Sequence, residues 1–254
     1  MSKISVVIIT KNEAKHIRNC LGSVRWVDEI IVVDSGSTDE TVEIAKSMGA
    51  HVFYHKWKGY AQQRKFAIQQ ASSEWILVID ADEVVTSELK KEIQSRVGKE
   101  VCNGYYINRL NHFLRHQVKH CGWYPDKILR LFRKDKVKLP AVSIHEGFIV
   151  EGEIKNLHGF LLHFSYDSLQ EYFEKMNRYT SLEVQDKLKR ISNRSIKWYD
   201  LIFHPFSRFI RMYFVKEGYK DGVIGLTVCI VSTIYLFVLY AKMWEYQRIN
   251  STGN

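Results

Sequence analysis

The sequence predicts an α/β fold, with a mainly parallel central sheet flanked by helices and a helical, membrane-associating C-terminal region. Three observations predict it. Short β-branched runs alternate with amphipathic stretches through the first eighty residues, a basic and aromatic stretch comes much later, and an uncharged apolar run follows that. Strand–helix alternation of this kind implies right-handed βαβ units and therefore a parallel sheet.

Residues 4–10, 29–34, 51–55 and 75–80 are apolar and short enough to be buried strands. Between them, 14–24, 38–48 and 60–70 have helical composition. Ser37 or Thr38 can cap the second of these helices, with Asp39 and Glu40 at its positive end. Another helix is expected to start near Thr86. From Gly104 to Phe164 the chain is less regular, with strands at 105–110, 128–132 and 160–164 joined by long loops rich in Trp, His and Arg. A helix over 168–189 follows.

After Pro205, the residues Phe206, Phe209, Ile210, Tyr213 and Phe214 recur at i, i+3, i+4, i+7 and i+8, while Arg208 and Arg211 lie off that face. That spacing marks a helix lying in a membrane interface. Residues 222–241 then carry no charge. An uncharged helix of roughly 20 residues matches the ~30 Å hydrocarbon core of a bilayer. Thr227, Ser232 and Thr233 soften the run, so a span, a re-entrant segment and a core helix all stay open.

Composition agrees with a folded protein. A hydrophobic fraction of 46% beside 26% charged residues is that of a globular chain, and a chain this long needs no covalent staples. Cys20, Cys102, Cys121 and Cys229 show neither CxxC nor zinc-site spacing and read as reduced and unpaired. A strand-like run begins at Ile4, where a secretory signal would be basic and then apolar. The net charge of +9 is concentrated: from Lys187 to Lys220 there are nine Lys/Arg against Asp200 and Glu217. This stripe abuts an apolar segment rather than an aromatic RNA-binding sheet, so anionic lipid is its expected partner and nucleic acid is not.

Ligands of open α/β sheets bind outside the carboxyl ends of the strands. Three polar clusters fall there: Thr10-Lys11-Asn12-Glu13, Asp34-Ser35-Gly36-Ser37 and Asp80-Ala81-Asp82-Glu83. Strand-end polar residues often only cap helices, but three in one sheet, each with a carboxylate, point to a site. Asp80 directly follows a buried-looking run and needs a partner, because an unpaired buried carboxylate costs several kcal/mol. Asp82 can point out of the turn. Hard oxygen ligands of this kind suit Mg²⁺ or Mn²⁺ shared with a diphosphate. No GxGxxG follows the first strand, and neither GxxxxGK[ST] nor GxSxG occurs, so dehydrogenase, P-loop and serine-hydrolase readings lose their main support.

The string Ile4-Ser-Val-Val-Ile-Ile-Thr-Lys-Asn-Glu13, with Val32-Val-Asp-Ser-Gly-Ser-Thr-Asp39 and Leu77-Val-Ile-Asp-Ala-Asp82, resembles the inverting family 2 glycosyltransferases, whose fold is the Rossmann-like GT-A. Gly122-Trp-Tyr-Pro-Asp126, Arg130-Leu-Phe-Arg133, His145-Glu146 and Leu162-His163 are similar to the lipopolysaccharide inner-core β-1,4-glucosyltransferase branch. The resemblance implies a nucleotide-sugar half over 1–100, an acceptor half over 101–190 and a membrane-associating region over 191–254. It implies that Thr10, Asn12, Glu13 and Asp34 bind the nucleoside of a UDP-sugar, that Arg64 lies near its phosphates, and that Asp80 lies near the ribose or donor sugar. Arg130 and His145 are further substrate contacts, Asp82 is the metal ligand, and His163 is either a second metal or diphosphate contact or a strand-end histidine satisfied by backbone. The base is Glu146 or Asp126. The expected activity is metal-dependent, inverting transfer of a hexose, glucose from UDP-glucose, to a membrane glycolipid such as the lipopolysaccharide inner core. The expected place is the cytoplasmic face of a bacterial inner membrane. The rivals are a polyprenyl-phosphate glycosyltransferase and a non-catalytic nucleotide-sugar-binding membrane module.

Overall fold

The computed structural model describes residues 2–138, 147–192 and 194–251, with the side chains of all but 250 and 251. The N-terminal alternation is realised as β1 (Ile4–Thr10), α1 (Ala14–Ser23), β2 (Glu29–Asp34), α2 (Thr41–Ser47), β3 (His51–Tyr54), α3 (Tyr60–Gln70) and β4 (Trp75–Asp80). Next come β5 (Glu83–Val85), α4 (Ser87–Arg96), β6 (Gly104–Phe113), β7 (His116–Gln117) and β8 (Asp126–Arg133). The chain continues through β9 (Val137–Lys138), β10 (Ile149–Val150), β11 (Ile154–Tyr166), α5 (Leu169–Arg190), α6 (Asp200–Ile210) and α7 (Gly222–Ser251).

Among the described residues one sheet runs β3-β2-β1-β4-β8-β6-β11-β5, with β7 on β6, and β9 and β10 form a separate ribbon. β1 pairs in parallel with both β2 and β4, and β2 with β3. Of the parallel strands, β1, β2 and β4 are buried on both faces, which is why they read as near-continuous apolar runs, whereas β3 is a partly exposed edge. Their side chains alternate between two cores: Val6, Ile8, Leu77 and Ile79 enter one, Val7, Ile76 and Val78 the other. Beyond β4 the partners turn antiparallel, at β8 and again between β11 and β5. The sheet is thus mixed, parallel from β3 to β4 and antiparallel at β4–β8, β8–β6 and β11–β5, and with its flanking helices it is the expected α/β GT-A arrangement. Two compact units result: 1–110 with 125–163, and 111–124 with 164–254.

Two local expectations are corrected. The second helix starts at Thr41, without a side-chain cap from Ser37 or Thr38. Asn12 takes those residues instead: its backbone N–H donates to Ser37 Oγ at 2.8 Å, and its side-chain oxygen accepts from the Thr38 N–H at 2.8 Å. The apolar stripe after Pro205 is also divided. The helix begins upstream, at Asp200, and Phe209 and Tyr213 pack into a core of their own unit with Met212, Cys121 and Val228, whereas Phe206, Ile210 and Phe214 stay exposed. Thr86 does cap α4, accepting from the Leu89 N–H. The four cysteines are free and buried.

At Gly159 in β11, an added Cβ would lie 2.4 Å from Leu89 Cα on α4, a backbone atom that cannot swing aside. Gly159→Ala is expected to cost about 1–3 kcal/mol through overpacking, read as a lower urea midpoint. An unchanged midpoint would mean that β11 and α4 are less closely apposed.

Candidate active site

β1 is flanked by β2 on one side and β4 on the other, so the strand order reverses there. The carboxyl ends of these strands border the crevice in which open α/β sheets bind ligands. Register fixes the neighbours: Thr10 lies opposite Asp34, and Ile9 opposite Asp80.

On the β2 side, Asp34 Oδ2 accepts from the Gly36 and Ser37 N–H groups at 2.8 and 2.9 Å. This Asx-type turn fixes the loop, and Gly36, at φ +94, takes a conformation that few other residues tolerate. Gln63, fully buried on α3, donates to Ser35 Oγ at 2.6 Å and to the His55 carbonyl at 2.9 Å. Glu13 opens α1 through its carbonyl, which accepts from His16 and Ile17, while its N–H donates to Thr41 Oγ1 at 2.8 Å. Thr10, Asn12, Glu13 and Asp34 are thus brought to one end of the sheet. The two loops are tied to each other by backbone donors.

On the β4 side stands a ladder of charge. Asp80 accepts from Arg64 Nη2 at 3.1 Å and from Arg130 Nη2 at 2.7 Å. Burial would raise its pKa, but Arg130 and then Arg64 outweigh that and hold the carboxyl well below the usual range. Glu83, with no exposed surface, accepts from the Asp80 N–H at 2.8 Å and lies 3.4 Å from Arg109 and 3.6 Å from Arg130. Burial pushes its pKa up despite those cations. Arg109 reaches on to Asp126 at 2.8 Å, a pair that lies directly across the β6–β8 register. The requirement that Asp80 have a partner is met twice over.

Asp82 leaves this ladder and meets His163 instead, Oδ2 to Nε2 at 3.4 Å. The antiparallel register of β11 on β5 brings them together by setting His163 opposite Glu83. Burial disfavours the charged imidazole, yet the hydrogen bond and charge of Asp82, with Glu83 behind, raise its pKa overall. Thr10 Oγ1, Arg64 Nε and Arg130 Nη1 are buried with no hydrogen-bond partner among the described residues. Buried polar atoms seldom go unpaired without a reason.

His145 and Glu146 lie outside the described residues. Glu83 and Arg109 are functional candidates that the sequence reading did not single out. The signal for Glu83 was its place in Asp80-Ala81-Asp82-Glu83, whereas Arg109 offered only its place near the end of a strand.

The family model described as Glycosyl transferase family 2 matches residues 5–149. A lipopolysaccharide core biosynthesis glycosyltransferase, LpsC, of Rhizobium meliloti is 29% identical, over 99% of this chain and 95% of its own. An uncharacterized glycosyltransferase of Rickettsia typhi is 34% identical, over 88% of this chain and 83% of its own. Among solved structures, a glucosyl-3-phosphoglycerate synthase from Mycobacterium tuberculosis, in complex with Mn²⁺, UDP-glucose and phosphoglyceric acid, matches 44% of each chain. That match has 24% identity and a TM-score of 0.37.

Proposed function

The chain belongs to glycosyl transferase family 2, and from that premise we propose that it moves a hexose, with inversion, from UDP-glucose to a membrane-linked saccharide such as the lipopolysaccharide inner core. It would act at the cytoplasmic face of a bacterial inner membrane. The observation that carries this reading is the Arg64–Asp80–Arg130 ladder at the point where the strand order reverses. Two guanidiniums with N–H groups unpartnered among the described residues, Arg64 Nε and Arg130 Nη1, suit an anionic diphosphate. The unpartnered Thr10 hydroxyl suits a polar nucleoside. Similarity to LpsC along nearly the whole chain supports the acceptor class.

Asp82 and His163 supply one hard oxygen and one imidazole nitrogen at adjacent positions. Mg²⁺ is commonly held by one or two carboxylates together with substrate phosphates, so this donor pair fits a divalent ion shared with the diphosphate. Bound there, Mg²⁺ or Mn²⁺ would act as a Lewis acid toward the leaving UDP. In the transfer, the acceptor hydroxyl oxygen attacks the anomeric carbon. The bond from that carbon to the diphosphate breaks, UDP departs with the electron pair, and a carboxylate takes the hydroxyl proton.

We assign that proton to Glu146. The competing base, Asp126, is already engaged by Arg109 and would have to give up that contact to act. Glu146→Gln is expected to lower turnover by about 10²-fold or more with UDP-sugar affinity near normal. A near-normal rate, with Asp126→Asn inactive, would transfer the role to Asp126. The proposal as a whole is tested by measuring UDP release from several UDP-sugars with membrane-extracted glycolipid as acceptor. Release only with polyprenyl phosphate, indifferent to Glu146→Gln, would replace the saccharide acceptor. No release with any acceptor would leave a binding module.

A further inference from the structure

We propose that the chain is monotopic: α6 lays an apolar face into one leaflet of an anionic membrane, and α7, although long enough to cross, does not. The inference concerns how the chain meets the surface on which the proposed acceptor resides. It rests on that reading only for the choice of membrane.

α7 is the one helix among the described residues that is long and apolar enough to span. Its most apolar window is nevertheless a third buried. Val184 and Leu188 of α5 share a core with Leu239, Tyr240 and Met243 of α7. Polar contacts run along the same seam. The Tyr172 hydroxyl donates to the Val231 carbonyl at 3.0 Å, and the Tyr235 hydroxyl to Glu183 at 2.7 Å. The Lys242 ammonium lies within 2.9 Å of Asn177, Thr180 and Ser181. A crossing by α7 would therefore draw α5 into the hydrocarbon with it. Over that stretch α5 carries Glu174, Lys175, Arg178 and Glu183, each costly at the bilayer centre. The alternative, stripping α7 from α5, would dismantle the core of their unit.

The exposed surface of α6 has what a leaflet requires. Ile202, Phe203, Phe206 and Ile210 share one face, with Phe203 64% and Phe206 60% exposed, and exposed Phe214 follows in the next turn. Solvent-facing aromatics of this size are not expected on a helix that meets only water. Lys197, Arg208, Arg211 and Lys216 are exposed and form no ion pair among the described residues. Trp198 and Tyr199, also exposed, begin the segment where aromatic rings favour the headgroup region. Apolar side chains on one face and unpaired cations around them complement an anionic lipid surface. A second copy of this equally basic chain would set like charges against each other.

The test uses the full-length chain with an epitope tag at each end. It should float with vesicles containing phosphatidylglycerol, and less so as salt is raised. Arg208→Gln with Arg211→Gln should weaken that binding by about tenfold or more, and Phe203→Ser with Phe206→Ser should abolish it. Both pairs replace exposed side chains, so melting temperatures should hold. In inside-out membrane vesicles, added protease should remove both tags. Protection of the C-terminal tag would show that α7 spans and would overturn the proposal. So would equal binding to phosphatidylcholine alone, or a dimer lost in the Phe203→Ser variant with no vesicle binding. UDP release by the same variants in detergent reports separately on the transfer reading.

Discussion

Asp82→Asn is expected to lower turnover by about 10²-fold or more while leaving the protein folded. A Lewis acid is worth several kcal/mol toward a departing diphosphate, and a loss of about 3 kcal/mol corresponds to roughly 10²-fold in rate. The amide keeps the shape of the carboxylate but not its charge. Asp82 is partly exposed, and among the described residues its carboxylate pairs with His163, an imidazole that can give up its proton when the charge is removed. A readout besides turnover isolates the role. Mn²⁺ should tighten UDP binding to the parent, and that increment should vanish in the variant while metal-free UDP binding stays the same. His163→Ala should reduce the increment more mildly, because the anionic oxygen donor, Asp82, remains. Full parental activity in excess EDTA would sink the assignment.

How far the site was legible depends on which contacts are local. The apolar runs of β1, β2 and β4 could be read directly because each is buried on both faces, and the polar residues that end them necessarily fall at one edge of a parallel sheet. The need for a partner at Asp80 followed from burial alone. The identity of the partners did not. Arg64 arrives from α3, and Arg130 from β8, whose antiparallel register on β4 is set by pairs such as Leu77 with Leu131. Arg109 and Asp126 meet only because β6 and β8 align, and His163 reaches Asp82 only because β11 lies beside β5. Pairings between strands so distant in sequence leave no periodic trace.

The C-terminal region shows the converse. Its spacing was visible, but spacing records apolar character without saying which neighbour covers it. Phe206 and Phe209 are equally apolar three residues apart; one is exposed and the other packs on the Met212 core. Likewise the hydroxyls of Ser37 and Thr38 are good helix caps by type, and it is Asn12, from a different loop, that engages them.

The ladder itself yields the second large effect. Arg130→Met is expected to destabilise the fold by about 3–5 kcal/mol, as breaking a buried ion pair does, with a melting temperature lower by on the order of 10 °C. Methionine fills similar volume, so the loss is one of charge. It leaves Glu83, fully buried, and Asp80, 25% exposed, with one cation fewer. Water can relieve part of the cost at Asp80, so most of it falls on Glu83. The pH dependence separates this account from simple mispacking. In the parent, the folded-state pKa of Asp80 lies below its unfolded value, so its contribution is complete above about pH 4 and is lost as the pH falls below that. The folded pKa of Glu83 is already raised by burial; removing Arg130 raises it further and takes from Asp80 the main cause of its lowering. A carboxyl with a raised folded pKa favours the folded state most at low pH, and that support is lost as the pH rises through the raised value. The gap in melting temperature between parent and variant should therefore widen from pH 5 to pH 8. Adding Glu83→Gln to Arg130→Met removes the stranded charge and should recover part of the loss at pH 8, but little at pH 5. A gap that is constant with pH, and a double variant no better than the single, would mean that Arg130 supports the sheet by packing rather than by neutralising Asp80 and Glu83.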